Sequence, residues 1–253
     1  MVVPFCGCWV VAGIVAPEAS QIHYPAGHVA LPILRLPMEA ITVVHEDQAL
    51  LVLDKPAGLL SVPGRGPDKQ DCLARRAQQR WPDAQVVHRL DMATSGLVVM
   101  ARGAAVQRRL SMAFEARAVD KRYVAVVAGR PDDDQRDAHG WCDITLALAA
   151  DWPRRPLQRV DPEHGRPSHT RWRLLRHDAS TGTTRLELEP LTGRTHQLRL
   201  HLQAIGHPIV GDALYADTAT RDLSPRLLLH ATSLALSHPS SGQRMRFESP
   251  APF

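Results

Sequence analysis

Apolar and polar positions alternate in short runs through most of this chain. AITVVHEDQALLVLDKPAGLL (40–60) opens as two apolar runs split by the turn residues HEDQ, which predicts two strands joined by a turn. KPAGLLSVPGRG is rich in Gly and Pro and reads as a loop. DKQDCLARRAQQRWPD predicts a short helix that Pro82 closes. In VVHRLDMATSGLVVMAR (86–102) a strand leads in and SGLVVMA leads out as another, with His88, Arg89 and Asp91 wedged between the valine runs. From Gly103 to Arg117, Val106, Leu110 and Phe114 recur on one face of a helix.

YVAVVAG then reads as a buried strand, and PDDDQRDAHG as a solvated loop without the glycine and distal glutamate of a calcium loop. TRWRLLRH and TRLELEPL alternate, predicting antiparallel strands with one wet face. In LTGRTHQLRLHLQAIGHP, Leu198, Leu202 and Ile205 share a helical face that Gly206 and Pro208 terminate. LLLHATSLALSHP and QRMRFESP finish as strands. Strands outnumber helices and lack regular helical crossovers. This predicts an α+β domain over residues 39–253, built on a mixed, mainly antiparallel sheet with flanking helices.

Composition changes the picture at one end. Residues 1–38 carry only Glu18 and Arg35 as charged residues, against a body dense in arginine and acid. Their apolar stretch WVVAGIVA falls short of the roughly 20 residues that span a bilayer, and no basic residue precedes it as in a signal peptide. The segment is expected to be a poorly ordered extension, or a product of a start assigned upstream of Met38.

Net charge is +4 over 253 residues, which suits a polyanionic partner without establishing one. The aromatic share is 5%, too small for an extended base-stacking surface. Cys6, Cys8, Cys72 and Cys142 form no paired C-x-x-C, so neither a zinc site nor a disulfide scaffold is expected, in keeping with a reducing cytosol. There is no G-x-S-x-G elbow for a serine hydrolase and no phosphate-binding G-x-x-x-x-G-K-[ST] loop.

On local pattern alone, Asp91 reads as a turn or cap residue. Distant segments change that. HRLDMATSGL, KPAGLLSVPGR, KRYVAVVAG and LTGRTHQLRLHLQAIGHPIVGDALYA together resemble the RluA-type pseudouridine synthases, in order from about residue 40 to the C-terminus. HRLDMATSGL, SVPGR and DWP-x-RP are most similar to the branch that modifies both 23S rRNA and a tRNA anticodon stem-loop.

The resemblance implies a pseudouridine synthase fold with a central cleft. It implies a cytoplasmic enzyme without metal or organic cofactor, and uridine isomerisation, in which the N1–C1′ bond breaks and a C5–C1′ bond forms. It assigns Asp91 as the catalytic carboxylate. Three routes stay open: attack at C1′, addition to the base, or removal of a C2′ proton. All need the charged form. The resemblance makes Arg194 the guanidinium paired with Asp91, Tyr123 the ring stacked on the uracil, and Leu198 the apolar residue beneath the base. Arg89, supported by His88, would fill the gap left when the base leaves the helix, an event costing a few kcal/mol.

Arginine clusters at 75–80, 108–122 and 154–159 would contact phosphates. With no separate RNA-binding domain expected before the catalytic one, RNA selection would rest on stem-loop shape. The chain is expected to act as a monomer with no obligatory protein partner. The alternatives are the same chemistry on rRNA only or tRNA only, or a catalytically silent RNA-binding protein.

Overall fold

The computed structural model describes residues 41–253; the expectations for residues 1–38 lie outside that range. β1 (Thr42–Glu46) and β2 (Leu50–Lys55) form the expected antiparallel hairpin. α1 (Leu73–Arg80) starts at Cys72, whose Sγ accepts the Arg75 N–H at 3.5 Å, and ends ahead of Pro82. β3 (Ala84–Val86) leads into the HRLD loop, and β4 (Ser95–Arg102) leads out. α2 (Ala104–Glu115) buries Leu110 with Val106 and Phe114 packed beside it, the face expected from their spacing.

The second half is more strand-rich. β5 (Asp120–Ala128), β6 (Cys142–Ala150), β7 (Gln158–Val160), β8 (Arg166–Asp178) and β9 (Thr183–Pro190) precede α3 (Gln197–Ala204) and the short α4 (Thr218–Asp222). β10 (Leu229–Ser237) and β11 (Arg244–Glu248) close the chain. β6 and β7 are absent from the pattern-based reading. CDITLALAA alternates, with Cys142, Ile144 and Leu148 inward and Asp143 and Thr145 outward, but its second half carries only alanines on the outer face, and β7 is three residues long.

All strands join one 11-stranded sheet in the order β1-β2-β4-β10-β5-β9-β8-β6-β7, with β11 on β10 and β3 on β4. Among the described pairs only β4–β10 is parallel. The α+β, mainly antiparallel expectation therefore matches the architecture.

β2 is buried on both faces. Leu51 and Leu53 pack with Leu73 and Ala77 of α1, while Leu50 and Val52 pack with Leu110 of α2. Each such leucine stabilises the fold by about 1.5–3 kcal/mol. A third cluster joins Leu186 and Leu188 of β9 to Leu198 and Leu202 of α3. Tyr123 packs against both the α1 and α3 clusters, so it sits where the two halves of the sheet meet. On the other face of β9, Glu187 and Glu189 pair with Arg122, Arg171 and Arg173, whose guanidiniums surround Trp141. No helix among the described residues is long and apolar enough to cross a membrane.

Candidate active site

The HRLD loop leaves the sheet through a gap. β3 and β10 both lie beside β4, β3 along its C-terminal part and β10 at Ser95 and Gly96. Val99 falls between these two pairings, and its N–H is taken instead by His88 Nε2 at 3.0 Å. The His88 ring also stacks on Phe114 with centroids 4.4 Å apart. Burial, with a lesser push from Lys121, lowers its pKa to about 3, so it is neutral and its proton is on Nδ1. His88 thus closes the sheet edge that launches the loop. Gly96 permits the tight β4–β10 approach. Its φ is 111°, and a Cβ there would lie 2.4 Å from the Ala231 carbonyl oxygen.

The 55–61 loop clasps the backbone on both sides of Asp91. Ser61 Oγ donates to Leu90 O at 2.7 Å and accepts from Leu90 N–H at 3.0 Å. The Met92 carbonyl receives the Gly58 N–H at 2.8 Å and Lys55 Nζ at 3.1 Å. Lys55 is fully buried and also donates to the carbonyls of Pro56 and Leu59, each at 2.8 Å. Burial lowers its pKa to about 8 against the opposing pull of Asp91. The lysine is therefore a three-pronged backbone clamp.

Asp91 opens onto a cleft of about 680 Å3. His88, Arg89, Asp91, Tyr123, Arg194 and Leu198 all line it, so the six residues singled out from sequence converge in one place. Tyr123 comes from within β5, three residues after the strand begins. Burial first, and the charge of Asp91 second, raise its pKa, which keeps the phenol neutral. Leu198 is buried at 7% exposure between the α3 cluster and the cleft. Arg89 is exposed at the opening, with no ion pair or hydrogen bond among the described residues.

One assignment is corrected. The guanidinium that faces Asp91 belongs to Arg199, whose Nη1 is 3.9 Å from Asp91 Oδ2, and not to Arg194. GRTHQLR offers two arginines. The helix begins at Gln197, so the second is carried on α3 beside Leu198, whereas Arg194 lies in the preceding turn. There its N–H bonds Gln197 Oε1 at 3.0 Å and its Nε bonds the Pro167 carbonyl at 3.3 Å. Arg194 is therefore tethered toward β8.

Arg199 is held in turn by Asp212, which is fully buried. Nε and Nη2 bond its carboxylate at 2.7 and 2.5 Å, which leaves Nη1 for Asp91. Burial opposes the Arg199 charge, but the hydrogen bonds and charge of Asp212, with Asp91, outweigh it and hold the pKa above its ordinary value. Such a fork fixes an orientation that a lysine could not. Asp212 also accepts the N–H groups of Leu214 and Tyr215. Tyr215 OH accepts the Gln158 N–H at 2.9 Å, which leaves its proton for His196 Nδ1 at 2.7 Å. His196 lines the cleft from a left-handed position, φ 55°.

Motif reading missed the supporting roles of Lys55, Ser61, His196, Arg199, Asp212 and Tyr215. Their signals were a lysine ending an apolar run, a second arginine in a motif, and GDALYA downstream.

Several arginines of the clusters expected to meet RNA phosphates are instead paired internally: Arg80 with Glu46, Arg122 with Glu189, Arg154 with Asp151 and Arg159 with Asp161. Cys72 and Cys142 are free and buried.

Comparison with known proteins agrees with this geometry. Residues 49–204 match the model of a family described as RNA pseudouridylate synthase. Over 213 residues the chain is 46% identical to the dual-specificity RNA pseudouridine synthase RluA of Escherichia coli O6:H1, covering 84% of this chain and 94% of that protein. It is 46% identical over 202 residues to the protein of the same name from Vibrio vulnificus, covering 79% and 78%. Among solved structures, human RNA pseudouridylate synthase domain containing 1 superposes with a TM-score of 0.67 at 29% identity, over 84% of each chain. The chain belongs to the RNA pseudouridylate synthase family and is an RNA pseudouridine synthase.

Proposed function

We propose that the enzyme isomerises uridines in both large-subunit (23S) rRNA and a tRNA anticodon stem-loop, with Asp91 as the catalytic carboxylate. The observation that carries this reading is the fixed position of Asp91. Its neighbours' backbones are clamped from the 55–61 loop, and Arg199, itself immobilised by Asp212, faces its carboxylate. A carboxylate oriented in this way and faced by a guanidinium serves any of the three routes open to it.

The neutral Tyr123 ring and Leu198 supply the apolar walls that a uracil needs. Arg89, exposed and unpaired among the described residues, is placed to enter the space a flipped base leaves. His88 supports it by holding the loop to β4. Dual specificity is carried over from the relatives of that name, which cover most of this chain. The reading includes a monomer working in the cytosol without an obligatory protein partner.

The test is tritium release from RNA labelled at uridine C5, since the C5 proton must leave as C5 bonds C1′. A tRNA anticodon stem-loop and a 23S rRNA fragment are each expected to release tritium. Release from one alone would narrow the substrate. Tight binding without release from either would make the chain a silent RNA-binding protein.

A further inference from the structure

The cleft continues past Asp91 between two banks distant in sequence. One bank is the end of α2 and the start of β5, with Glu115, Arg117 and Lys121. The other is the Pro190–Leu198 segment, with Arg194. Arg166, at the start of β8 beside Pro167, adjoins this second bank, because Pro167 O holds Arg194 Nε.

Elsewhere the described arginines of this enzyme are commonly matched to acids, as in Arg102–Asp83, Arg171–Asp137 and Arg244–Asp120. Arg117, Arg166 and Arg194 have no ion pair among the described residues. Glu115 shares the first bank, and no salt bridge joins it to them. Arg117 and Arg166 are exposed, and Arg194 is half-buried. Arg194 feels both of the others: burial first, then Arg166 and Arg117, lower its pKa. Arg194 nonetheless stays tethered by its Nε, which leaves both Nη groups unbonded. Like charges converging across a groove, none of them ion-paired to Glu115 or to another acid among the described residues, favour an anion from outside that offsets their repulsion.

We propose that Arg117, Arg166 and Arg194 form a phosphate clamp that takes the RNA backbone flanking the target uridine as the strand enters the cleft. This rests on the RNA reading above and gives Arg194 a task distinct from orienting Asp91. The ligand is a phosphodiester gripped from both banks.

The experiment measures RNA affinity at several salt concentrations for the full-length enzyme and for Arg117→Gln, Arg166→Gln and Arg194→Gln. Arg246→Gln removes the same charge from β11, away from the cleft. Each clamp variant is expected to bind the stem-loop several-fold more weakly, and the slope of log K against log salt is expected to fall by about 0.7–0.9 for each phosphate no longer neutralised. Arg246→Gln is expected to track the wild type.

A second arm uses a stem-loop with neutral methylphosphonates flanking the uridine. The wild type is expected to lose affinity for it, and the clamp variants to lose little more, because each change removes the same charge pairing. Because Arg117 and Arg166 are exposed, their variants test the clamp independently of folding. If the wild type binds and converts the stem-loop while those two variants keep its affinity and salt slope, the clamp is wrong. If the wild type neither binds nor converts RNA, the functional reading fails and the clamp falls with it.

Discussion

At the scale of single residues, the decisive pair is Asp91 with Arg199. Asp212 is fully buried and holds Arg199 through two hydrogen bonds, so the chain Asp212–Arg199–Asp91 transmits rigidity from the core to the site. Removing one member of a buried pair strands the other without solvent, typically at about 3–5 kcal/mol. Arg199→Met is therefore expected to destabilise the fold by about that much in urea unfolding, and to abolish measurable turnover. Arg194→Gln is expected to leave stability within about 0.5 kcal/mol, as for an ordinary surface change. Equal stability losses in the two variants would overturn the reassignment.

Asp91, Arg89 and Tyr123 were singled out because their motifs resemble those of a known family, and all three line the cleft. Arg199 was not singled out. Its motif carries two arginines, and only the start of α3 decides which one reaches inward.

At the scale of elements, most strands and helices followed from period and punctuation. The β3–loop–β4 unit was plain because two valine runs bracket a polar insert. The HRLD loop escaped a simple hairpin reading because β4 shares one edge between β3 and β10. No local pattern shows that β10, far along the chain, occupies the rest of that edge, or that His88 fills the gap. A buried relay across the same junction was equally hidden. Arg226 donates to Ser95 Oγ at 2.5 Å, Ser95 donates to His230 Nδ1 at 2.8 Å, His230 Nε2 donates to Ser249 Oγ at 3.1 Å, and Ser249 donates to Asp54 at 2.5 Å. Every donor has an acceptor, which is the condition for a polar chain in a core to cost little. The clasp of the 55–61 loop on Leu90 and Met92 explains why KPAGLLSVPGR accompanies HRLD: it fixes the backbone on either side of the reactive carboxylate.

At the scale of the whole molecule, buried neutral histidines set the acid limit of stability. His201 is fully buried, donates to Ser168 Oγ at 2.7 Å, and is brought by burial and the nearby His169 to a pKa of about 4. His88 lies lower still, at about 3. Unfolded, both titrate near 6.5. Above that pH neither state binds the proton and the stability is intact. Below it the unfolded chain takes up protons that the folded one refuses, so stability falls down to about pH 4, by roughly 3 kcal/mol for His201 alone. Urea midpoints measured from pH 7.5 to 4.5 are expected to decline, and His201→Gln, which keeps a donor for Ser168 without titrating, is expected to flatten the decline. A profile indifferent to that change would refute the assignment.

The fold class was legible because strand periods dominate the chain. The single continuous sheet was not, since β7 is three residues long and β4–β10 pairing spans more than half the described chain.

All of these layers converge on Asp91 as the group that makes the reaction possible. The most direct test is single-turnover pseudouridine formation by Asp91→Asn on a stem-loop substrate, measured beside its affinity for the same RNA. Asparagine keeps the shape of the side chain, removes the charge and replaces one acceptor oxygen with an NH2 donor. The account expects affinity near that of the wild type and no pseudouridine. Pseudouridine formed at a rate comparable to the wild type would contradict it.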